Sequence, residues 1–385
     1  MSLQTVPEIT SLELARSLEA GERVQILDVR AQAGVANTAA GLLPEDRIIK
    51  IVGSKLLRYS TLAETGIDPA TPVVVICAHG NDSKIAASFL NRLGANARSL
   101  MGGMAAWMQL TIPRILVDPP GLDHLVQFDR VGKEALSYVL ISAGKAMIID
   151  PPRDSRTHLQ FIEDSHSTLV AVADTHVHAD YISGAPRIAR ERGIPYFLHP
   201  ADGISPYDGT PGRLDIEPIS DGMPIHIGRG TLTAFHTPGH SPGSVTYLAG
   251  EHAAFTGDFL FITSIGRPDL ADKTEEWAAL LWRSIQKVKE AWPPEIMIYP
   301  AHYVSQTPRG KTAAIGDSFA ALLRRNPSLG ITDESEFLKW IRGNASTPPP
   351  AYRSIKGINI GLLTVEEPEA DFLETGKNEC AVGGV

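Results

Sequence analysis

Short apolar runs alternate with helical patterns along the first hundred residues. Residues 24–29 and 72–76 are largely apolar segments of strand length, which is typical of buried strands in a parallel sheet. Residues 85–90 have the apolar spacing of a helix, and Thr10 with Glu13 forms a capping-box sequence at the start of an earlier helix. This alternation predicts a small parallel α/β domain of about 110 residues.

Strand-like segments become more frequent after residue 121. The pattern predicts strands at 136–142, 146–150, 169–173, 231–235, 244–248 and 296–299, and helices at 157–165, 182–192 and 275–289. The sequence Val-Asp-Pro-Pro-Gly at 117–121 is the best candidate for a linker. We therefore predict an α/β protein with one domain at residues 1–115 and a second at 122–385, which carries a C-terminal extension.

Charge and cysteine content exclude several classes of partner. The 385 residues include 44 acidic and 35 basic side chains, a net charge of −9, and no lysine or arginine cluster that would attract nucleic acid or an anionic membrane. No apolar run is long enough to span a bilayer, and the N-terminal residues lack the apolar core of a secretory signal. With only two cysteines, a reducing cytoplasmic setting is expected. A homo-oligomer is compatible with this composition.

Histidines and aspartates stand directly behind predicted strands in the second domain. His176 follows the strand at 169–173, and His240 and Asp258 lie in later loops of the same kind. Because loops at strand ends hold metal ligands rigidly, these three side chains are candidate ligands of one metal ion. Two imidazoles and one carboxylate are the ligand set of non-haem Fe(II) oxygenases, which keep open positions for O2 and a substrate.

Four sequence blocks resemble those of the metallo-β-lactamase superfamily. They are His-x-His-x-Asp at 176–180, Thr-Pro-Gly-His-Ser-Pro-Gly-Ser at 237–244, Phe-Thr-Gly-Asp at 255–258 and Tyr-Pro-Ala-His at 299–302. The resemblance implies an αββα sandwich. Hydrolases of the superfamily usually carry a histidine where this chain has Tyr181. A phenol, with a pKa of about 10, is a poor ligand for a second zinc, which disfavours two-metal hydrolysis.

Within the superfamily the chain is similar to the persulfide (sulfur) dioxygenases. The similar phrases are Asp-Thr-His at 174–176, Thr-Pro-Gly-His at 237–240 and Ile-Gly-Arg-Pro-Asp at 265–269. The resemblance implies one Fe(II) per chain, held by the three residues named above. It also implies that His178, Asp180 and His302 surround the ligands without binding the metal, and that Arg267 holds either the substrate's carboxylate or neighbouring loops.

A cysteine follows the strand at 72–76 in the first domain. Cys77 begins a Cys-x-x-Gly-x-x-Ser loop that leads into a helix, and the loop N–H groups and helix dipole favour a thiolate. This loop, with Leu-Asp-Val-Arg at 27–30 and the block 101–107, resembles the rhodanese active site over about residues 8–112. The resemblance implies transfer of sulfane sulfur through Cys77. Asp82 stands where thiosulfate-using members often have arginine, and Lys84 is a candidate to compensate.

The favoured hypothesis is a bifunctional enzyme of sulfur metabolism. The metal site would oxidise a low-molecular-weight persulfide, of glutathione or another thiol carrier, with O2 to sulfite and free thiol. Cys77 would exchange sulfane sulfur among persulfide, sulfite and thiosulfate. Two alternatives stay open: a zinc-dependent hydrolase of thioesters or related substrates, and a non-catalytic sulfur carrier or sensor. The sequence assigns no role to Cys380.

Overall fold

The computed structural model of the chain describes residues 6–31, 41–271, 273–304, 307–376 and 378–382. It contains two compact units. The first is built on the residues up to Thr111, and the second on most of the residues from Ile112 onward. The domain limits 1–115 and 122–385 stay predictions. Among the described residues, no helix has both the length and the apolar character needed to cross a bilayer.

The first unit is a five-stranded parallel sheet in the order β1-β5-β4-β2-β3. Its strands are β1 Glu8–Ile9, β2 Gln25–Asp28, β3 Ile48–Lys50, β4 Val73–Ile76 and β5 Ala97–Leu100; its helices are α1 Ser11–Glu19, α2 Gly53–Leu56, α3 Asn81–Arg92 and α4 Gly103–Gln109. The predicted capping box is confirmed. The Thr10 hydroxyl accepts from Glu13 N at 3.2 Å, and the Glu13 carboxylate accepts from Thr10 N at 2.8 Å.

The second unit begins with a seven-stranded sheet in the order β12-β11-β10-β9-β8-β7-β6. Its strands are β6 Thr111–Ile115, β7 His124–Arg130, β8 Ala135–Ser142, β9 Lys145–Ile149, β10 Thr168–Ala173, β11 Tyr196–Leu198 and β12 Glu217–Pro218, and the helices α5 Arg156–Asp164 and α6 Ala185–Arg192 lie between them in sequence. Alternate side chains of β8 enter different cores. Tyr138 and Leu140 pack against a six-stranded sheet of the same unit, whereas Val139 and Ile141 pack with the apolar side chains of α5 and α6.

The six-stranded sheet has the order β13-β14-β15-β16-β17-β18 and lies against the seven-stranded sheet. Its strands are β13 Pro224–Ile227, β14 Gly230–His236, β15 Val245–Ala249, β16 Ala253–Gly257, β17 Met297–Pro300 and β18 Asp317–Ser318. The helix α7, Thr274–Ala291, packs Leu281, Ile285 and Val288 into the apolar cluster that includes the strands of this sheet. Both sheets have helices on their outer side, so the αββα sandwich is confirmed.

Two of the segments that differ from the sequence prediction are residues 117–121 and the C-terminal extension. Residues 117–121 connect β6 to β7, which are neighbours in one sheet. The sequence did not distinguish this connection from a linker, because Pro-Pro-Gly suits both. The C-terminal extension is helical, with α8 Phe319–Arg325, α9 Glu334–Asn344, α10 Ala351–Asn359 and α11 Glu367–Leu373. These helices escaped the prediction because each is short and prolines separate them.

We expect the core contact of α7 to control the stability of the second unit. Leu281 is fully buried, whereas Leu323 in α8 is 38% exposed. Leu281→Ala should lower the free energy of unfolding by about 2–5 kcal/mol, because a cavity adds to the lost burial. Leu323→Ala makes the same chemical change on a helix and should cost far less. Denaturant unfolding of both variants measures the difference, and equal losses would contradict the described packing.

Candidate active site

Strand ends of both sheets deliver the histidines and aspartates of the second unit to one place. His176 and His178 follow β10, and His240 follows β14 after a Thr-Pro-Gly turn. Asp258 directly follows β16, and His302 lies two residues beyond β17. The backbone preceding Asp258 requires glycine. Gly257 has a φ of +53°, and a Cβ there would lie 2.3 Å from the Thr175 hydroxyl, so this turn carries the carboxylate back toward the histidines.

Three of these side chains converge on an enclosed point. Asp258 Oδ2 lies 3.6 Å from His176 Nε2 and 3.5 Å from His240 Nε2. The three residues are at most 1% exposed, and these three atoms have no hydrogen-bond partner among the described residues. Ligands about 2.1 Å from one ion lie about 3 to 3.5 Å from each other. Buried polar atoms without partners are costly, and a metal ion would satisfy all three, so the residues fit one.

Hydrogen bonds fix which nitrogen of each histidine is free for a metal. His240 Nδ1 lies 3.0 Å from the Arg267 carbonyl, so it donates its proton there. His176 Nδ1 lies 3.0 Å from the Thr175 hydroxyl, whose own proton goes to the Asp150 carboxylate 3.0 Å away. The hydroxyl therefore accepts from Nδ1. In both rings the Nε2 lone pair is left facing Asp258, as metal ligation requires.

Burial keeps both of these histidines neutral. It lowers the pKa of His240 to about 4. Burial, together with the neighbouring histidines His178 and His240, lowers the pKa of His176 well below its usual value. A metal ligand must be unprotonated, so neither ring has to lose a proton at neutral pH before binding an ion.

His302 binds two carboxylates and lies beside the three converging side chains. Its Nδ1 is 2.6 Å from Asp258 Oδ1, and its Nε2 is 3.0 Å from Asp180 Oδ2. Burial opposes the charged ring, but the two carboxylates outweigh it and raise the pKa of His302 to about 10. The imidazolium holds Asp258 by one oxygen, which leaves Oδ2 for a metal.

His178 faces away from the same point. Its Nε2 lies 3.1 Å from Asp150 Oδ1 and 2.9 Å from the Tyr181 hydroxyl, and the ring stacks on Tyr181 with centroids 4.2 Å apart. Burial disfavours its charged form, but Asp150 raises the pKa of His178 above its usual value. Tyr181 thus contacts His178 and not the three converging atoms.

Arg267 has the contacts of a residue that holds loops together. Its guanidinium binds Asp269 at 2.6 and 2.8 Å and also donates to the carbonyls of Ser346 and Glu379. Its own carbonyl accepts from His240. Of the two roles expected for Arg267, these contacts support the positioning of neighbouring loops, because its donors are already engaged within the protein.

The cysteine loop of the first unit has its own geometry. Cys77 follows β4, and its Sγ accepts from Gly80 N at 3.1 Å and lies 3.3 Å from the Ser83 hydroxyl. Gly80 has a φ of +87°, and α3 begins at the next residue. The loop therefore directs the Gly80 N–H toward the sulfur at the N-terminus of a helix. Lys84 pairs with Glu8 at 3.0 Å, so its charge is not directed at the thiol.

Comparison with known proteins identifies both parts of the chain. The metallo-beta-lactamase superfamily model matches residues 131–302, and the rhodanese-like domain model matches residues 10–110. The human mitochondrial persulfide dioxygenase ETHE1 is 35% identical over 54% of this chain and 74% of its own length. The chain belongs to the persulfide dioxygenase family of the metallo-β-lactamase superfamily. A rhodanese-like domain precedes the dioxygenase-like part.

Other relatives agree on the fold. The Bacillus subtilis probable metallo-hydrolase YqgX is 29% identical over 44% of this chain and 85% of its own. A metallo-beta-lactamase structure from Staphylococcus aureus has a TM-score of 0.54 and 27% identity, covering 61% of this chain and 71% of that one. The structure of ETHE1 from Myxococcus xanthus has a TM-score of 0.51 at 24% identity and covers 65% of this chain and 98% of that one. This similarity concerns the fold alone.

Asp202 positions two loops of this dioxygenase-like site, and the sequence did not predict this role. Asp202 Oδ2 accepts from Val177 N at 2.7 Å and from the Ser241 hydroxyl at 2.8 Å, and its Oδ1 accepts from Gly243 N at 2.7 Å. It therefore ties the loop of His176 to the loop of His240. No local signal marks it, because an aspartate after His-Pro-Ala is ordinary for a surface loop.

The C-terminal extension also reaches the loops of the site. Asn359 Nδ2 donates to the carbonyls of His178 at 2.9 Å and Tyr181 at 2.8 Å. Lys356, in the same helix α10, is 3% exposed and donates to the Val177 carbonyl at 3.2 Å. These side chains lie more than 170 residues from their partners in sequence, which is why the sequence alone did not reveal them.

Cys380 is placed beside the site by the end of the chain. Arg267 N donates to the Cys380 carbonyl at 2.8 Å, and Val382 N donates to Ile265 O at 2.9 Å. The Cys380 sulfur lies within 4.8 Å of ligand-type atoms of Asp180 and His302. The tail therefore brings a thiol next to the imidazolium that holds Asp258.

We expect Asp202 to control metal affinity without touching the metal. Asp202→Asn replaces one of the two acceptor oxygens by an NH2 donor, so at least one of the three hydrogen bonds that hold the two loops is lost. Loss of such a supporting contact should weaken metal binding about 10- to 100-fold. Anaerobic titration of Fe(II) against a chelator measures this, with Asp215→Asn, an exposed aspartate, as the matched control. Unchanged affinity in Asp202→Asn would contradict this role.

Proposed function

We propose that the second unit oxidises a low-molecular-weight persulfide with O2, releasing sulfite and a free thiol, at one Fe(II) held by His176, His240 and Asp258. The main support is the set of three buried ligand atoms for which the described part of the chain provides no hydrogen-bond partner. The second support is that His178, Tyr181 and His302 are engaged with carboxylates or with each other. The balanced reaction is RSSH + O2 + H2O → RSH + SO3²⁻ + 2 H⁺.

The protein's contribution to this reaction is orientation and exclusion of water. Bound Fe(II) supplies redox chemistry with O2 and a Lewis-acid position for sulfur. Thr175 and the Arg267 carbonyl fix the proton of each ligating histidine. The His302 imidazolium holds the Asp258 carboxylate in its charged form and in one orientation. Because the site is buried, the persulfide meets O2 in an environment of low dielectric.

Zinc-dependent hydrolysis has less support. A second metal would need a ligand where Tyr181 stands, and the Tyr181 hydroxyl lies 2.9 Å from His178 Nε2 instead. Burial raises the pKa of Tyr181 well above its usual value, so the phenol stays protonated. A purely non-catalytic sulfur carrier does not account for three buried ligand-type atoms that converge without a hydrogen-bond partner among the described residues. Metal content distinguishes these alternatives from oxygenation.

We also propose that Cys77 transfers sulfane sulfur. Its support is the contact of the sulfur with Gly80 N and Ser83 at the start of α3. We favour a persulfide over thiosulfate as the donor, because Asp82 is negative and Lys84 is paired with Glu8, so neither favours a doubly charged anion. A cytoplasmic enzyme with both activities on one chain would keep the shared sulfur species at high local concentration.

Removal of one proposed metal ligand should abolish oxygenation. Asp258→Ala leaves two imidazoles, so we expect iron occupancy and O2 uptake with glutathione persulfide to fall more than about 100-fold, beyond the loss from removing a supporting group. Elemental analysis of anaerobically purified protein and an oxygen electrode measure these. Asp215→Ala, at an exposed position, is the control. Full iron occupancy in Asp258→Ala would refute the ligand assignment.

The two activities should separate by mutation. Cys77→Ser should abolish sulfur transfer to sulfite and leave O2 uptake within about twofold, because the reacting groups lie in different units and act independently. His176→Ala should give the reverse result. Sulfur transfer is measured as thiosulfate formed from sulfite and a persulfide under nitrogen. If either variant loses both activities while remaining folded, the two-site proposal is wrong.

A further inference from the structure

A cavity of about 200 Å³ lies beside the two loops that carry the proposed histidine ligands. Its lining includes Val177 and Ser241, the residues that directly follow His176 and His240. The remaining wall comes from the loop around Asp202, the start of α7 and the helix α10 of the C-terminal extension. Chain neighbours of two proposed metal ligands therefore form one side of a pocket that also contains two lysines and the Asp202 carboxylate.

The buried charge in this pocket is Lys356. Its side chain is 3% exposed, and the Val177 carbonyl is its one hydrogen-bond acceptor among the described residues. An ammonium group has three donors. No carboxylate of the described chain forms an ion pair with it. With one acceptor recorded for three donors, the buried ammonium can still donate to a ligand, so this position has the properties of a site for an anion.

The surroundings strengthen the preference for an anion. Lys273, exposed at the cavity edge, precedes α7, an 18-residue helix whose N-terminus adds positive potential. The Asp202 carboxylate also lines the cavity, but it already accepts three hydrogen bonds from the ligand loops. Burial lowers the pKa of Lys356, with the carboxylate of Asp202 acting against it; a bound anion would favour the charged form further.

The pocket is close to the proposed metal ligands. The Lys356 charge acts on both His176 and His240, where it contributes to lowering the pKa of each ring. Two other cations near these ligands are already engaged, because Arg267 donates to Asp269, Ser346 and Glu379, and His302 pairs with two carboxylates. A substrate anion that reaches this site therefore has Lys356 as its available buried partner.

We propose that Lys356 binds the carboxylate of the thiol carrier, so that the enzyme selects persulfides of carboxylate-bearing thiols. This inference rests on the proposed persulfide oxidation, since it names the substrate class for the same site. Lys356 then acts as a specificity residue supplied by the C-terminal extension. Its contact with the Val177 carbonyl couples carboxylate binding to the loop that carries His176.

The kinetic test compares two persulfides that differ in one charge. Wild-type enzyme should oxidise 3-mercaptopropionate persulfide with a kcat/KM about 10- to 100-fold above that for 2-mercaptoethanol persulfide, the usual effect of one charge-assisted contact. Lys356→Met should remove this preference, because KM for the carboxylate substrate rises and KM for 2-mercaptoethanol persulfide does not. Lys356→Arg should restore part of it. Lys145→Met, at an exposed strand end, is the matched control.

A binding test separates this inference from the proposed function. S-methyl-3-mercaptopropionate has the carboxylate but no reactive thiol, and calorimetry should detect its binding to wild-type protein and not to Lys356→Met. Oxidation of both persulfides at equal kcat/KM, with equal binding to both proteins, would overturn the carboxylate site and leave the oxygenase proposal intact. Binding that depends on Lys356 without any O2 uptake would overturn the oxygenase proposal and leave an anion site.

Discussion

The direction of two histidine protons is the constraint on which the proposed metal site depends. A ring that placed its proton on Nε2 would present a donor to the ion position and could not bind a metal. The Arg267 carbonyl and the Thr175–Asp150 pair prevent this by accepting the Nδ1 protons. The Thr175–Asp150 pair follows the ends of β9 and β10, and the Arg267 carbonyl lies in the loop that follows Asp258. Segments adjacent to the ligands in the chain therefore also select their tautomer.

The buried carboxylates around the ligands are balanced by histidines that do not face the metal position. His302 pairs with Asp180 and Asp258, and His178 pairs with Asp150. Tyr181 contacts His178 in the same network. These internal contacts support the proposal of one metal ion. The C-terminal extension completes the enclosure and contributes polar side chains of its own.

The sequence predicted the parts of the site that are local in the chain. His176, His240 and Asp258 could be found because each follows an apolar strand, and strand ends of the two packed sheets meet. Asp202 and Lys356 could not be found, since their roles depend on contacts with segments distant in sequence. The role of residues 117–121 could not be predicted for a related reason. Proline and glycine indicate a change of chain direction, but they occur both between two domains and between two strands of one sheet.

The most direct test of this account is a crystal structure of anaerobically purified protein with anomalous data collected on both sides of the iron absorption edge. We expect one iron peak per chain, bound by His176 Nε2, His240 Nε2 and Asp258 Oδ2, with no metal between Asp180 and His302. Two zinc peaks, or a single metal bound by His178 or Tyr181, would contradict the account.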